Sequence, residues 1–146
     1  VLEDKLGICG YVLGTKDTKI FFKKMTEEWL PKYQKRFPMP DGDPEIWNMD
    51  QKIVALIHNP RVSIPDSLNN FPAHLHIDLL PRARKKGYGR RMIEILHEKL
   101  KILGIKGVFL DVGINNLNAQ SFYEKIGYKK LQVTPSKDGV FMIYQL

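Results

Sequence analysis

The spacing of apolar residues along this chain changes several times, and each change marks an element. Val1–Glu3 and Gly7–Leu13 read as two strands joined by a tight turn at Asp4-Lys5. Past Gly14 the period lengthens. With Asp17 or Thr18 as cap, Phe22, Met25, Trp29 and Tyr33 recur at threes and fours and form one apolar face, expected to pack into a core. Pro31 falls inside that pattern and predicts an end or kink near Leu30. Phe37 to Pro44 is a loop, and Asp50 to Ile57 a short helix. From His58 to Pro72, prolines exclude regular structure.

Leu75–Leu80 has few polar positions, as a strand covered on both faces should. Met92, Leu96, Leu100 and Leu103 mark one face of the next helix, which Gly104 ends. Val108–Val112 is a second buried strand, so 75–112 is a strand–helix–strand unit with parallel strands and a right-handed crossover. Asn116 or Asn118 caps a short helix ending before Gly127. Tyr128–Thr134 and Val140–Leu146 complete a hairpin around Pro135 to Gly139. The expected class is α/β with mixed α+β character, in one domain over 1–146. Within it a long insertion covers about 14–73 and a ligand-binding core about 74–134.

Composition narrows this picture. A chain of 146 residues with 43% hydrophobic and 27% charged content can build one ordinary globular core. The net charge of +7 suits a polyanionic partner. The single cysteine, Cys9, excludes an intrachain disulfide and fits a reducing compartment, the cytoplasm or, in a eukaryote, the nucleus. Its place in a strand makes it a core thiol rather than a nucleophile. No apolar run reaches a membrane span, and no membrane partner is expected. The start at Val1, without Met, suggests a fragment or processed chain.

The positive charge concentrates after the strand at 75–80. Arg82, Arg84, Lys85, Lys86, Arg90 and Arg91 surround Gly87-Tyr88-Gly89, just where a helix starts. Glycine lets the main chain approach a ligand, and the first-turn N–H groups and helix dipole favour an anion. A strand, a Gly-rich basic loop and a helix start together form a pyrophosphate cradle; a plain surface turn also fits. A Walker loop fails on spacing, and a dinucleotide fingerprint needs a third glycine.

The loop Arg84-Lys-Lys-Gly87-Tyr-Gly89 has the form R-x-x-G-x-G. Downstream, Asn116-Leu-Asn-Ala119-Gln-Ser-Phe122-Tyr123-Glu-Lys-Ile-Gly127-Tyr128 has the form N-x-x-A-x-x-x-Y-x-x-x-G-F/Y. In this order and separation they resemble the acetyl-CoA motifs of the GNAT N-acetyltransferases. The long segment from Gly14 to Ala73 and the Phe71-Pro72…Asp78 spacing are similar to the acetyltransferase-like C-terminal domain of eukaryotic O-GlcNAcases and its free-standing bacterial relatives. The animal domain has a degraded glycine loop, whereas this one is intact. The resemblance implies a mixed sheet splayed between the strands at 75–80 and 108–112, with acetyl-CoA in the split. The family's opening strand and two helices have no counterpart before Val1.

The resemblance also implies an activity: acetyl transfer from acetyl-CoA, the cosubstrate, to an unidentified amine, with no metal. Binding without turnover, as a sensor or interaction module, is the alternative. A nucleic-acid reading rests on charge alone, and a homodimer stays open. Implied cofactor contacts come from Leu79, Leu80, Arg84, Lys85, Lys86, Gly87, Tyr88, Gly89, Arg90, Asn116, Ala119, Phe122 and Tyr123. A backbone N–H near Leu79 or Leu80 would polarise the thioester. Tyr123 would protonate the thiolate. His74, His76 and Asp78 share one strand face. Asp78 is the first candidate for base or amine-orienting group and His76 the second, with Asp111 open.

Overall fold

The computed structural model describes residues 1–131 and 139–146, so Gln132 to Asp138, including most of the expected hairpin turn, lie outside the described residues. The chain divides into two compact units, Val1–Thr18 with Pro65–Leu146, and Lys19–Ile64.

In the larger unit a mixed sheet holds six strands among the described residues, in the order β1-β2-β3-β4-β6-β5. They are β1 (Leu2–Asp4), β2 (Gly7–Thr15), β3 (Ala73–Leu79), β4 (Gly107–Gly113), β5 (Lys129–Lys130) and β6 (Gly139–Gln145). All neighbours are antiparallel except β3 and β4, the parallel pair that α4 (Tyr88–Ile102) connects. The class is mixed α/β, with helices flanking the sheet. The core lies on one sheet face, where Ala73, Leu75, Val108, Leu110, Val112 and Met142 meet Ile93 and Leu100 of α4 and Tyr123 of α5 (Leu117–Lys125).

The buried face of α4 is Met92, Ile93, His97 and Leu100; Leu103, expected there, is exposed. The reason is where the helix stops. Leu103 is the C-cap, and Gly104 at φ +75° donates its N–H to Lys101 O while Ile105 N–H reaches back to Leu100 O. This reversal turns the chain away and seats Ile105 against the core in place of Leu103. On β2, a Cβ at Gly14 would come within 2.9 Å of Leu96, so glycine lets α4 lie close to the strand.

The smaller unit is helical: α1 (Thr18–Lys24), α2 (Leu30–Arg36) and α3 (Met49–His58). Of the end or kink expected near Leu30, the structure shows an interruption rather than a stop. Met25–Trp29 adopt a wider π turn, with Leu30 N–H bonded to Met25 O, and the helix resumes with Pro31 in its new first turn. There its missing N–H costs nothing. The aromatic stripe is less buried than expected: Trp29 is 50% exposed, and its ring lies tilted against Tyr33 with centroids 4.4 Å apart. The capping box of α3 is complete, Asn48 and Gln51 each bonding the other's backbone N–H.

Candidate functional site

The central feature is a gap in the sheet. β3 and β4 pair only at Ala73 with Val108 and His74 with Phe109, then part. β3 stays paired to β2 on its other side through Leu79 with Gly10. Leu80 N–H donates to Cys9 O at 2.9 Å. Antiparallel bonds alternate along the ladder, so the amides of His76 and Asp78 also point to β2, while those of Ile77 and Leu79 point into the gap. Of the two amides expected to polarise a carbonyl, Leu80 is therefore committed to the sheet. Leu79 faces the open side, where its N–H has no strand partner among the described residues.

A tight turn follows. Pro81–Ala83 form one 3-10 turn, Lys85 sits at φ +59°, Gly87 at φ +82°, and α4 begins at Tyr88. A left-handed lysine is strained, by about 1–2 kcal/mol, and such strain often collects at binding sites. Arg84 Nε donates to Leu79 O at 2.7 Å, so this side chain braces the end of β3 against the loop. Arg82 is used differently. It clamps the β1–β2 hairpin through Asp4 at 2.9 Å and the carbonyls of Gly7 and Ile8, and holds the Asp4 carboxyl below its usual range. Arg90 pairs with Glu94 at 3.1 Å, whereas Lys85, Lys86 and Tyr88 are exposed at the mouth. A Cβ on Gly89 would meet Leu79 and Phe122 at 3.3 Å, which ties the loop to both neighbouring elements.

The second motif is a helix held at both ends. Asn116 Oδ1 accepts from Ala119 N–H at 3.2 Å, so Asn116 is a cap. Gln120, which the sequence did not single out, is buried and donates to the carbonyls of Gly113 and Ile114, fixing the turn from β4. At the far end Gly127, φ +99°, bonds Glu124 O, and Tyr128 N–H bonds Tyr123 O. The Y-x-x-x-G-Y pattern is thus a helix stop that packs Tyr128 beside Tyr123, ring centroids 5.5 Å apart. Burial pushes the Tyr123 phenol up to about 12, and the Asp78 charge adds to it. A phenol so held stays protonated at neutral pH.

On the opposite sheet face, the register sets Tyr11 beside Asp78, Leu13 beside His76 and Thr15 beside His74. Tyr11 Oη donates to Asp78 Oδ2 at 2.6 Å, and His76 Nε2 lies 3.0 Å from the same oxygen. Hydrogen bonds from Tyr11 and then His76 hold the Asp78 carboxyl below its usual range. Both side chains are open, 65% exposed at His76 and 63% at Asp78. His74 is instead half-buried, 2.9 Å from Thr18 Oγ1, and burial lowers its pKa. Asp111, on β4, sits in the space a Cβ at Gly139 would need, at the β4–β6 ladder. Tyr11 escaped notice because nothing local marks it; its partner is distant in sequence. Burial also raises the Cys9 thiol, which suits a core position. Among the described residues there is no His, Cys, Asp or Glu group able to hold a metal, and no helix long and apolar enough to cross a membrane.

A parallel pair that opens after two residues, a glycine loop leading into α4, and the capped tyrosine helix α5 are the parts of a GNAT fold. The model of the Acetyltransferase (GNAT) family matches residues 15–128, and the chain belongs to that family. Protein O-GlcNAcase of Rattus norvegicus is 34% identical over 128 residues, 87% of this chain. The same holds for that of Mus musculus; the chain spans only 14% of these relatives' length. The crystal structure of SsHAT superposes with a TM-score of 0.87 at 37% identity, covering 99% of this chain and 70% of that one. Chaetomium thermophilum Naa20, solved with a bisubstrate analogue, shares the fold, with a TM-score of 0.55 at 20% identity, covering 100% of this chain and 64% of that one.

Proposed function

We propose that this protein is an acetyl-CoA-dependent N-acetyltransferase that moves an acetyl group directly to a primary amine. The observation that carries the reading is the Leu79 amide: an N–H without a strand partner, at the open edge of β3, between the glycine loop and the Asp78–His76 face. A thioester carbonyl seated there gains a donor as its oxygen becomes negative. The first-turn amides of α4, with Lys85, Lys86 and the outer nitrogens of Arg84, suit the pyrophosphate of acetyl-CoA. Tyr123 protonates the departing thiolate, and the open Asp78–His76 face receives the amine. Acetyl-CoA supplies the activated acyl group.

Calorimetric titration with acetyl-CoA and CoA, followed by an acetylation screen over amines, amino sugars and peptides, tests this. Saturable binding and release of CoA thiol on addition of an amine are expected. Absence of acetyl-CoA binding overturns the reading. Binding without transfer to any amine replaces it with a binding module.

A further inference from the structure

On the open face of β3 the hydrogen-bond pattern distinguishes Asp78 from His76 as proton acceptor. Asp78 Oδ2 is occupied twice, by the Tyr11 phenol at 2.6 Å and by His76 Nε2 at 3.0 Å. A carboxylate can only accept, so the His76 nitrogen facing it carries a proton. In the neutral ring the other nitrogen, Nδ1, then bears the lone pair. The Tyr11 ring lies over that of His76, centroids 5.9 Å apart and planes 28° apart, and limits its rotation. The imidazole is more than half exposed, so an acceptor can reach it. Asp78 itself is a weak base, because both of its bonds favour the ionised form.

Resting on the acetyltransferase reading above, we propose that His76 Nδ1 takes the proton from the acceptor ammonium, and that Asp78 and Tyr11 are positioning residues that fix the ring and its tautomer. The ammonium N–H bond breaks, its proton goes to Nδ1 and then to solvent, and the freed lone pair attacks the thioester carbon. A C–N bond forms and the C–S bond breaks. Tyr123 gives its proton to the thiolate, and the second proton lost by the nitrogen restores the phenol. One proton is released per turnover. Asp78 keeps its charge throughout and offsets the imidazolium, as an orienting carboxylate does for a catalytic histidine.

The consequence is that dependence on His76 must follow the acceptor's own protonation. The test measures thiol release from acetyl-CoA at neutral pH with three acceptors: water alone, n-propylamine, which is charged, and hydroxylamine, which is neutral. For His76→Gln we expect a loss of about 10²-fold with n-propylamine, within the range of general-base catalysis, and a much smaller loss with hydroxylamine. Added imidazole should restore part of the n-propylamine rate in His76→Gly. Tyr11→Phe should lower kcat with n-propylamine several-fold and leave acetyl-CoA affinity unchanged by calorimetry. An equal loss for both amines, or full n-propylamine activity in His76→Gln, overturns the assignment while the transferase reading stands. A wild-type chain that binds acetyl-CoA yet transfers to none of the amines, amino sugars and peptides of the wider screen overturns both.

Discussion

Tyr123 has only 8% of its surface exposed, packed between Phe122 and Tyr128 on a helix whose last turn is locked by Gly127. Burial keeps it neutral, and neutrality is what a proton donor needs. Its ring also contributes to the core, so two roles must be separated. Tyr123→Phe keeps the ring and removes only the hydroxyl. We expect kcat to fall about 10²-fold, as for loss of a general acid, with acetyl-CoA affinity and thermal midpoint nearly unchanged. A variant with full kcat would leave the residue as packing alone. By contrast, Leu80 shows how one hydrogen bond can remove a residue from a role, since its amide already serves Cys9.

At the scale of elements, the two loop glycines act for different reasons. Gly87 has open space around a would-be Cβ, but its φ of +82° penalises any side chain. Gly89 has no such dihedral, but a side chain there presses on Leu79 and Phe122. Gly87→Val should therefore re-form the turn and cost about 1–2 kcal/mol in unfolding free energy. Gly89→Val should push β3 and α5 from the gap. Both should abolish acetyl-CoA binding in calorimetry with the far-ultraviolet circular dichroism retained; unchanged affinity in either would reject the loop as the cofactor cradle. These elements were legible in the sequence because their causes are local: the glycines, the Asn116 cap and the Gly104 and Gly127 stops act within a turn. What was not legible depends on distant partners. The π turn that admits Pro31, the half-exposed Trp29, and the Tyr11–Asp78 bond follow from how segments meet, which no periodicity records. The Asp78–His76 face was visible as alternation on one strand, but the Tyr11 bond to Asp78 needed the register with β2.

For the molecule as a whole, the buried histidine predicts how stability varies with pH. His97 on α4 is 7% exposed, shares a 2.7 Å hydrogen bond with the Tyr128 hydroxyl and stacks on Tyr144 at 4.4 Å. Burial, aided by the Lys101 charge and opposed by Glu94, lowers its pKa from 6.5 to about 4. Tyr128 is itself neutral, its pKa raised chiefly by burial. Between these pH values the unfolded chain binds a proton that the folded chain refuses. Stability from His97 is thus complete above about pH 6.5 and lost as pH falls toward 4, by up to about 3 kcal/mol at 1.36 kcal/mol per unit. His74, also lowered by burial, adds in the same direction. Asp4 and Asp78, whose pKa values are lowered from 3.8, lose their contributions only in stronger acid, outside this window. Urea unfolding of the wild type from pH 7 to 4.5 should show a steep decline, and His97→Gln, which can still bond Tyr128, should show a shallower one. Parallel declines in the two proteins would mean that His97 does not govern the acid limb.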